Sequence, residues 1–180
     1  MGERPIGTAA YGADDFEAVA LPHLDAAYRL ARALLRDEHD AQDAVQDAYV
    51  RALRHFGGYR GGDARAWLLA IVRNVCLTRR RRGARERLHA PLEDAPELPA
   101  RGDDPEAALL RAAGVAEVRA ALAQLGAEAR EILILRELED RSYAEIAEVS
   151  GLPPGTVMSR LARARAQLRR ILAPRLLEAP

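Results

Sequence analysis

The sequence predicts an all-α chain of two small helical domains joined by a flexible acidic linker. Three observations carry this. Ala, Leu, Arg and Glu dominate, whereas the aromatic and β-branched residues that favour strands are sparse, aromatics making up 4%. Apolar residues recur at three- and four-residue spacing in several separate segments. Around residues 90–105 prolines and acids replace large apolar side chains, the composition of an extended tether. With 180 residues, 49% of them apolar, there is room for two small packed cores.

Residues 1–13 read as a disordered N-terminus. From Asp14 the pattern is helical, with Leu24, Ala27, Tyr28, Ala31, Leu34 and Leu35 on one face and Pro22 in the first turn, where its missing N–H costs little. The second helix is DAQDAVQDAYVRALRHF, with Ala41, Ala44, Val45, Ala48, Tyr49, Ala52 and Leu53 facing inward. Gly57, Gly58, Gly61 and Gly62 break the chain. The third helix, ARAWLLAIVRNVC, is apolar over much of its circumference and is expected at the centre of the first domain, residues 14–89, which the run TRRRRGARER closes. The linker is placed at 90–110 and the second domain at 111–173, with a C-terminal tail at 174–180. That second domain holds the helical segments VAEVRAALAQL, EAREILILREL, SYAEIAEV and PGTVMSRLARARAQLRRIL.

All 27 basic residues are arginine, which excludes chemistry that needs a lysine, such as a P-loop or a Schiff base. The formal net charge of zero conceals sorted blocks. Residues 37–50 are acidic with no arginine, 60–90 are strongly basic, 91–105 are acidic again, and 155–175 carry arginines and no acid. Two basic blocks either side of an acidic linker suit phosphate backbones, and the acidic block suits a separate, basic partner. No apolar run reaches the length of a membrane span, the first residues lack the apolar core of a signal peptide, and the lone Cys76 cannot staple a fold. A chain that is not membrane-inserted, in a reducing cytoplasm, is therefore expected. His39 and Asp43 share a helix face but lack further convergent ligands, so no metal site is expected, nor any cofactor. No nucleophile–base grouping or dinucleotide fingerprint occurs. The chain is read as no enzyme and as having no small-molecule substrate.

The most informative local signal is YAEIAEVSGLPPGTVMSRLARAR. A DNA-binding helix-turn-helix needs a small residue where its helices cross, a glycine at the turn and apolar anchors for the second helix. Ala147, Gly151, Val157 and Leu161 stand at those intervals. Plotted at about 100° per residue, Val157, Leu161, Ala164, Leu168 and Ile171 form a buried stripe. Thr156, Ser159 and Arg163 then point outward at base edges, while Arg160, Arg165 and Arg169 are placed to hold phosphates.

Motif order narrows the reading. DAQDAVQDAYVRAL, YRGGDARAWLLAIVRN and the arginine run resemble region 2 of bacterial RNA polymerase sigma factors. AQLGAEAREILILRELEDRSYAEIAEVSGLPPGTVMSRLARARAQL resembles region 4. With a short linker between them, the chain resembles the extracytoplasmic-function (ECF) group over roughly residues 14–172. The resemblance implies a promoter-specificity subunit that binds core RNA polymerase through the β′ clamp helices and the β flap, recognises and melts promoter DNA, and is commonly held inactive by an anti-sigma factor. It implies that Asp40, Asp43, Gln46 and Asp47 dock on the polymerase. It assigns the −10 element to Arg60, Trp67, Arg73, Asn74 and the run Arg79, Arg80, Arg81 and Arg82, with Asn74 at the start of a loop that receives an extruded base. Trp67 fits a core position equally well. The −35 element falls to the helix-turn-helix. Met158, Ala162 and Ala70 depart from the commoner pattern, so individual base contacts do not transfer from relatives. A stand-alone helix-turn-helix regulator that binds duplex operators as a dimer is the competing reading.

Overall fold

The computed structural model describes residues 13–35, 37–86 and 116–177. The linker expected at 90–110 and most of the N-terminal segment lie outside the described residues. Among the described residues every regular element is a helix. In chain order the helices are α1 (Ala13–Ala20), α2 (Leu24–Leu35), α3 (Glu38–His55), α4 (Ala64–Glu86), α5 (116–123), α6 (Ala127–Leu133), α7 (Tyr143–Ser150) and α8 (Pro154–Leu177).

The first expected helix is two. A 3-10 turn over Leu21–His23 carries Pro22 and separates α1 from α2, because proline cannot donate to the preceding turn. Asp37 caps α3, its carboxylate accepting the Asp40 N–H at 2.8 Å. Ala26, Ala27, Ala31, Ala41, Ala44 and Ala48 are all buried, and such small side chains let α2 and α3 approach closely against α4. A second, aromatic cluster holds α1: Phe16 meets Phe56 edge-on at 5.3 Å, and Tyr49 donates its hydroxyl to the Ala20 carbonyl at 2.9 Å. Cys76 is fully buried in α4, and burial pushes its thiol up to about 12, as expected of a small core residue. Leu24 and Leu53, expected inward, are 45% and 49% exposed.

α4 continues through the arginine run to Glu86 as one helix, and α8 continues past residue 173 to Leu177. α6 passes into a π turn over Ile134–Leu138, closed by Glu139 N–H donating to the Ile134 carbonyl at 3.0 Å. Residues 130–135 are all buried, so the second half of α6 and the turn after it are covered, with α8 against one face of α6 and α2 against another. The consequence is a single continuous hydrophobic core that runs from Leu30 and Leu69 in the N-terminal half to Leu125, Leu135 and Leu161 in the C-terminal half. The two helical halves pack directly on each other.

Candidate nucleic-acid interface

The helix-turn-helix is built by its caps. Ser142 and Glu145 form a reciprocal capping box, Ser142 Oγ accepting the Glu145 N–H at 3.2 Å and Glu145 accepting the Ser142 N–H at 2.7 Å. Gly151 ends α7 at φ 66°, ψ 28°, a left-handed conformation, with its N–H on the Ala147 carbonyl. No atom lies within 4 Å of a Cβ added there, so the cost of Gly151→Ala is backbone strain alone. A loss of about 1–2 kcal/mol is expected, read as a lower urea midpoint.

Pro154 opens α8, and Val157, Leu161 and Ala164 are buried against α6 and α7 as the wheel predicted; Leu168 and Ile171 are only half-buried. On the opposite side Ser159 and Arg163 are exposed and adjacent, Arg163 Nε donating to the Ser159 carbonyl at 3.3 Å. Thr156 lies at the edge of this face, half-buried. The expected phosphate-binding arginines have partners of their own. Arg160 pairs with Glu128 at 2.6 Å and Arg165 with Glu137 at 2.6 Å, whereas Arg169 is exposed. Exposed pairs of this kind are worth about 0–1 kcal/mol, little enough for a phosphate to displace the carboxylate.

The residues expected at the −10 element do not share one face. Arg60 is exposed on the glycine loop. Trp67, half-buried, packs at 5.1 Å on Tyr59 and 6.1 Å on Phe56, so it is part core and part surface. Asn74 lies in the middle of α4, exposed, its carbonyl accepting the Thr78 hydroxyl at 2.9 Å, not at the start of a loop. At seven-residue spacing Trp67, Asn74 and Arg81 fall on one stripe of α4. Arg73 and Arg80 lie on a second stripe, where Arg73 pairs with Glu131. Arg79 and Arg82 line the groove toward α3, where Arg79 reaches Asp47 at 2.6 Å and Asp43 at 3.5 Å. Those bonds and charges raise the Arg79 pKa, its Asp47 hydrogen bond foremost.

On α3, Asp40, Asp43, Gln46 and Asp47 are all exposed and lie together. Gln46 also borders an open, mainly apolar groove lined by Leu24, Tyr28, Val45 and Tyr49. An acidic rim beside exposed Leu24 is a surface that a basic helical partner with an apolar stripe would fit.

Sequence reasoning missed the charges between the two halves. Glu139 is completely buried and accepts Arg29 Nε at 2.6 Å and the Arg65 guanidinium. Glu131, 2% exposed, pairs with Arg73. Arg130, 5% exposed, donates to the Ala33 carbonyl at 2.7 Å and so caps the end of α2. Arg141 joins Asp63 before α4 to Glu145 of α7. The only signal was that Glu131 and Glu139 bracket the largely apolar run ILILREL.

Burial pushes the Glu131 carboxyl above its ordinary 4.5, and Arg73 only partly offsets this. A carboxyl whose folded pKa is raised stabilises the fold below its unfolded pKa and loses that contribution as pH rises through the folded value. The stability difference between the native chain and Glu131→Gln should therefore fall as pH rises from about 4.5, as read from urea midpoints; a rising or flat difference would contradict the assignment.

Comparison with known proteins covers both halves. Residues 20–86 match the family model for sigma-70 region 2, and residues 116–168 that for sigma-70 region 4. The chain is 37% identical to the ECF RNA polymerase sigma factor SigE of Mycolicibacterium smegmatis, over 95% of this chain and 69% of that one. It is 40% identical to the ECF sigma factor SigM of Mycobacterium tuberculosis, over 81% of this chain and 70% of that one. Among solved structures it resembles the sigma factor RpoE in complex with the anti-sigma factor NepR from Bartonella quintana, with a TM-score of 0.75 and 28% identity over 89% of this chain and 98% of that one. CnrH in complex with the cytosolic domain of CnrY gives a TM-score of 0.64 and 28% identity, over 93% of both chains.

Proposed function

The chain belongs to the extracytoplasmic-function group of sigma-70 family RNA polymerase sigma factors, and from that premise we propose how its surfaces divide the work of promoter-specific transcription initiation. The single observation that carries the division is the presence in one fold of three charged faces, the acidic face of α3 with the arginine-rich α4 beside it, and the outward face of α8. A dimeric operator-binding regulator has no need of the first two.

In this reading residues 14–89 bind the polymerase and the −10 element, residues 111–173 bind the −35 element, and residues 90–110 tether them. Asp40, Asp43, Gln46 and Asp47 meet the basic β′ clamp helices, with the apolar groove beside Gln46 receiving part of the same partner. The C-terminal half also meets the β flap. On α4 the stripe of Trp67, Asn74 and Arg81 contacts extruded bases of the non-template strand: Trp67 supplies a stacking edge, Asn74 an amide for a Watson–Crick edge, and Arg81 a phosphate contact. Arg60, Arg73, Arg79, Arg80 and Arg82 follow the backbone. On α8, Thr156, Ser159 and Arg163 face base edges in the major groove, flanked by Arg160, Arg165 and Arg169 on phosphates. The polymerase supplies the catalysis. The chain acts in the cytoplasm, where polymerase and promoter are, and an anti-sigma protein is a fitting regulator, since RpoE and CnrH were each solved with NepR or CnrY bound.

Two substitutions on α8 separate base readout from phosphate holding. Arg163→Ala should lower discrimination at one −35 position by about 1–3 kcal/mol. Arg165→Ala should weaken all sequences alike and reduce the salt dependence by about one phosphate contact. Binding of holoenzyme to a panel of single-base −35 variants at several salt concentrations checks both. Equal, sequence-blind losses from the two changes would contradict the division.

A further inference from the structure

The groove between α3 and α4 sets Asp40, Asp47 and Arg51 of one helix against Thr78, Arg79 and Arg82 of the other. Spacing alone would pair Arg51 with Asp47, which stands one turn before it on α3. Asp47 is instead held by Arg79 at 2.6 Å, and Arg79 reaches Asp43 as well, at 3.5 Å. Asp40, the remaining acid of the groove, precedes Arg51 by three helical turns, about 16 Å, too far to neutralise it. Among the described residues Arg51 and Arg82 are both exposed at the groove and neither forms an ion pair.

The three arginines also form a row. The short connection between α3 and α4 makes the helices antiparallel. Arg51 lies about 6 Å beyond Asp47 along α3, and Arg82 about 4.5 Å beyond Arg79 along α4. Because the helices run in opposite directions, these steps diverge from the Asp47–Arg79 pair, so Arg51, Arg79 and Arg82 follow one another over about 10 Å. Two unpaired guanidiniums that far apart suit a chain of phosphates better than one small anion. A basic protein partner is disfavoured in the groove by the same arginines. The rim carries exposed Thr78, whose hydroxyl donates to the Asn74 carbonyl at 2.9 Å, so the groove opens beside the stripe of Trp67, Asn74 and Arg81.

We propose that the α3–α4 groove is a phosphate-binding track, in which Arg51 of α3 and Arg82 of α4 hold phosphates of one chain on either side of the Asp47–Arg79 pair. The phosphates are those of a single strand passing the α4 stripe, or those of a free polyphosphate. Arg51 thereby brings the polymerase-docking helix into contact with the same ligand as α4. The track rests on the functional reading above for its place beside the stripe, and its test is independent of transcription.

Arg51→Ala in the full chain is compared with Arg54→Ala, which removes the same charge from an exposed residue of the same helix outside the groove. The first arm is binding of random single-stranded oligonucleotides, read by fluorescence anisotropy over a range of salt concentrations. Loss of one phosphate contact should flatten the slope of log Kd against log salt by about 0.7 and weaken binding about fivefold at about 0.1 M salt. Arg51→Ala and Arg82→Ala should each show both changes, and Arg54→Ala neither. Arg51→Lys, which keeps the charge, should recover most of the loss. The second arm is calorimetric titration with inorganic tripolyphosphate at fixed ionic strength. Effects of Arg51→Ala on oligonucleotides alone assign the track to a strand, whereas saturable tripolyphosphate binding that Arg51→Ala abolishes assigns it to a free polyphosphate. Arg51→Ala behaving like the native chain or like Arg54→Ala in both arms would overturn the track. Affinity for core polymerase, measured in parallel, should be unchanged; a loss there with no change on phosphates places Arg51 in the docking surface and overturns the track as well. Failure of the native chain to support promoter-specific initiation would sink the functional reading and leave the groove result standing.

Discussion

Replacing Leu161 with alanine is expected to cost about 2–5 kcal/mol, a large fraction of the net stability of a small protein. Leu161 is 1% exposed and sits midway along the apolar stripe of α8, between Val157 and Ala164, where α8 rests on α6 and α7. Truncation removes buried methyl groups and leaves a cavity that helices pinned by the capping box and the Gly151 turn are poorly able to collapse. Met158, the residue after Val157 and 53% exposed, serves as the control: Met158→Ala should change stability by less than about 0.5 kcal/mol. Urea unfolding followed by circular dichroism checks both, the first by a large fall in midpoint at unchanged slope. Similar small effects from the two would mean that α8 is not seated on this stripe.

The second large effect is functional. Asp43→Asn combined with Gln46→Ala should weaken binding to core polymerase at least about tenfold, or roughly 1.4 kcal/mol, and abolish initiation at limiting concentration. Both side chains are exposed, so the fold should be unaffected. The cost inside the chain is the 3.5 Å pair between Asp43 and Arg79, an exposed contact worth about 0–1 kcal/mol, and Arg79 keeps Asp47. Polymerase titrations monitored by fluorescence, with thermal unfolding in parallel, separate the outcomes. A variant that binds polymerase normally removes Asp43 and Gln46 from the docking surface; one that unfolds makes them structural.

The helical class and the helix-turn-helix were legible because they depend on local chemistry. The stripe Val157, Leu161 and Ala164, the turn at Gly151 and the break at Gly61 and Gly62, whose φ angles are 84° and 95°, are each set by a few neighbouring residues. Leu24 and Leu53 illustrate where that logic stops, because periodicity names a face without saying whether anything covers it. The division of the arginine run among three faces of α4 became visible only when α4 proved to be unbroken from Ala64 to Glu86. Extending the helix through Asn74 also removed the loop that the family resemblance placed there. The charge pairs between the halves were not legible at all. Arg29 and Glu139 lie 110 positions apart, and nothing in a single sequence couples residues at that distance. The same holds for the docking of α6 on α2, which merges two expected cores into one.

The central claim, that this chain gives core polymerase its promoter specificity, is tested most directly by in vitro transcription on a randomised promoter library. Core enzyme supplemented with the chain should start RNA at a defined distance downstream of a two-part sequence element, with no such starts from core alone. Active core that gains no defined start from any template, together with tight duplex binding by a dimer of the free chain, would contradict it.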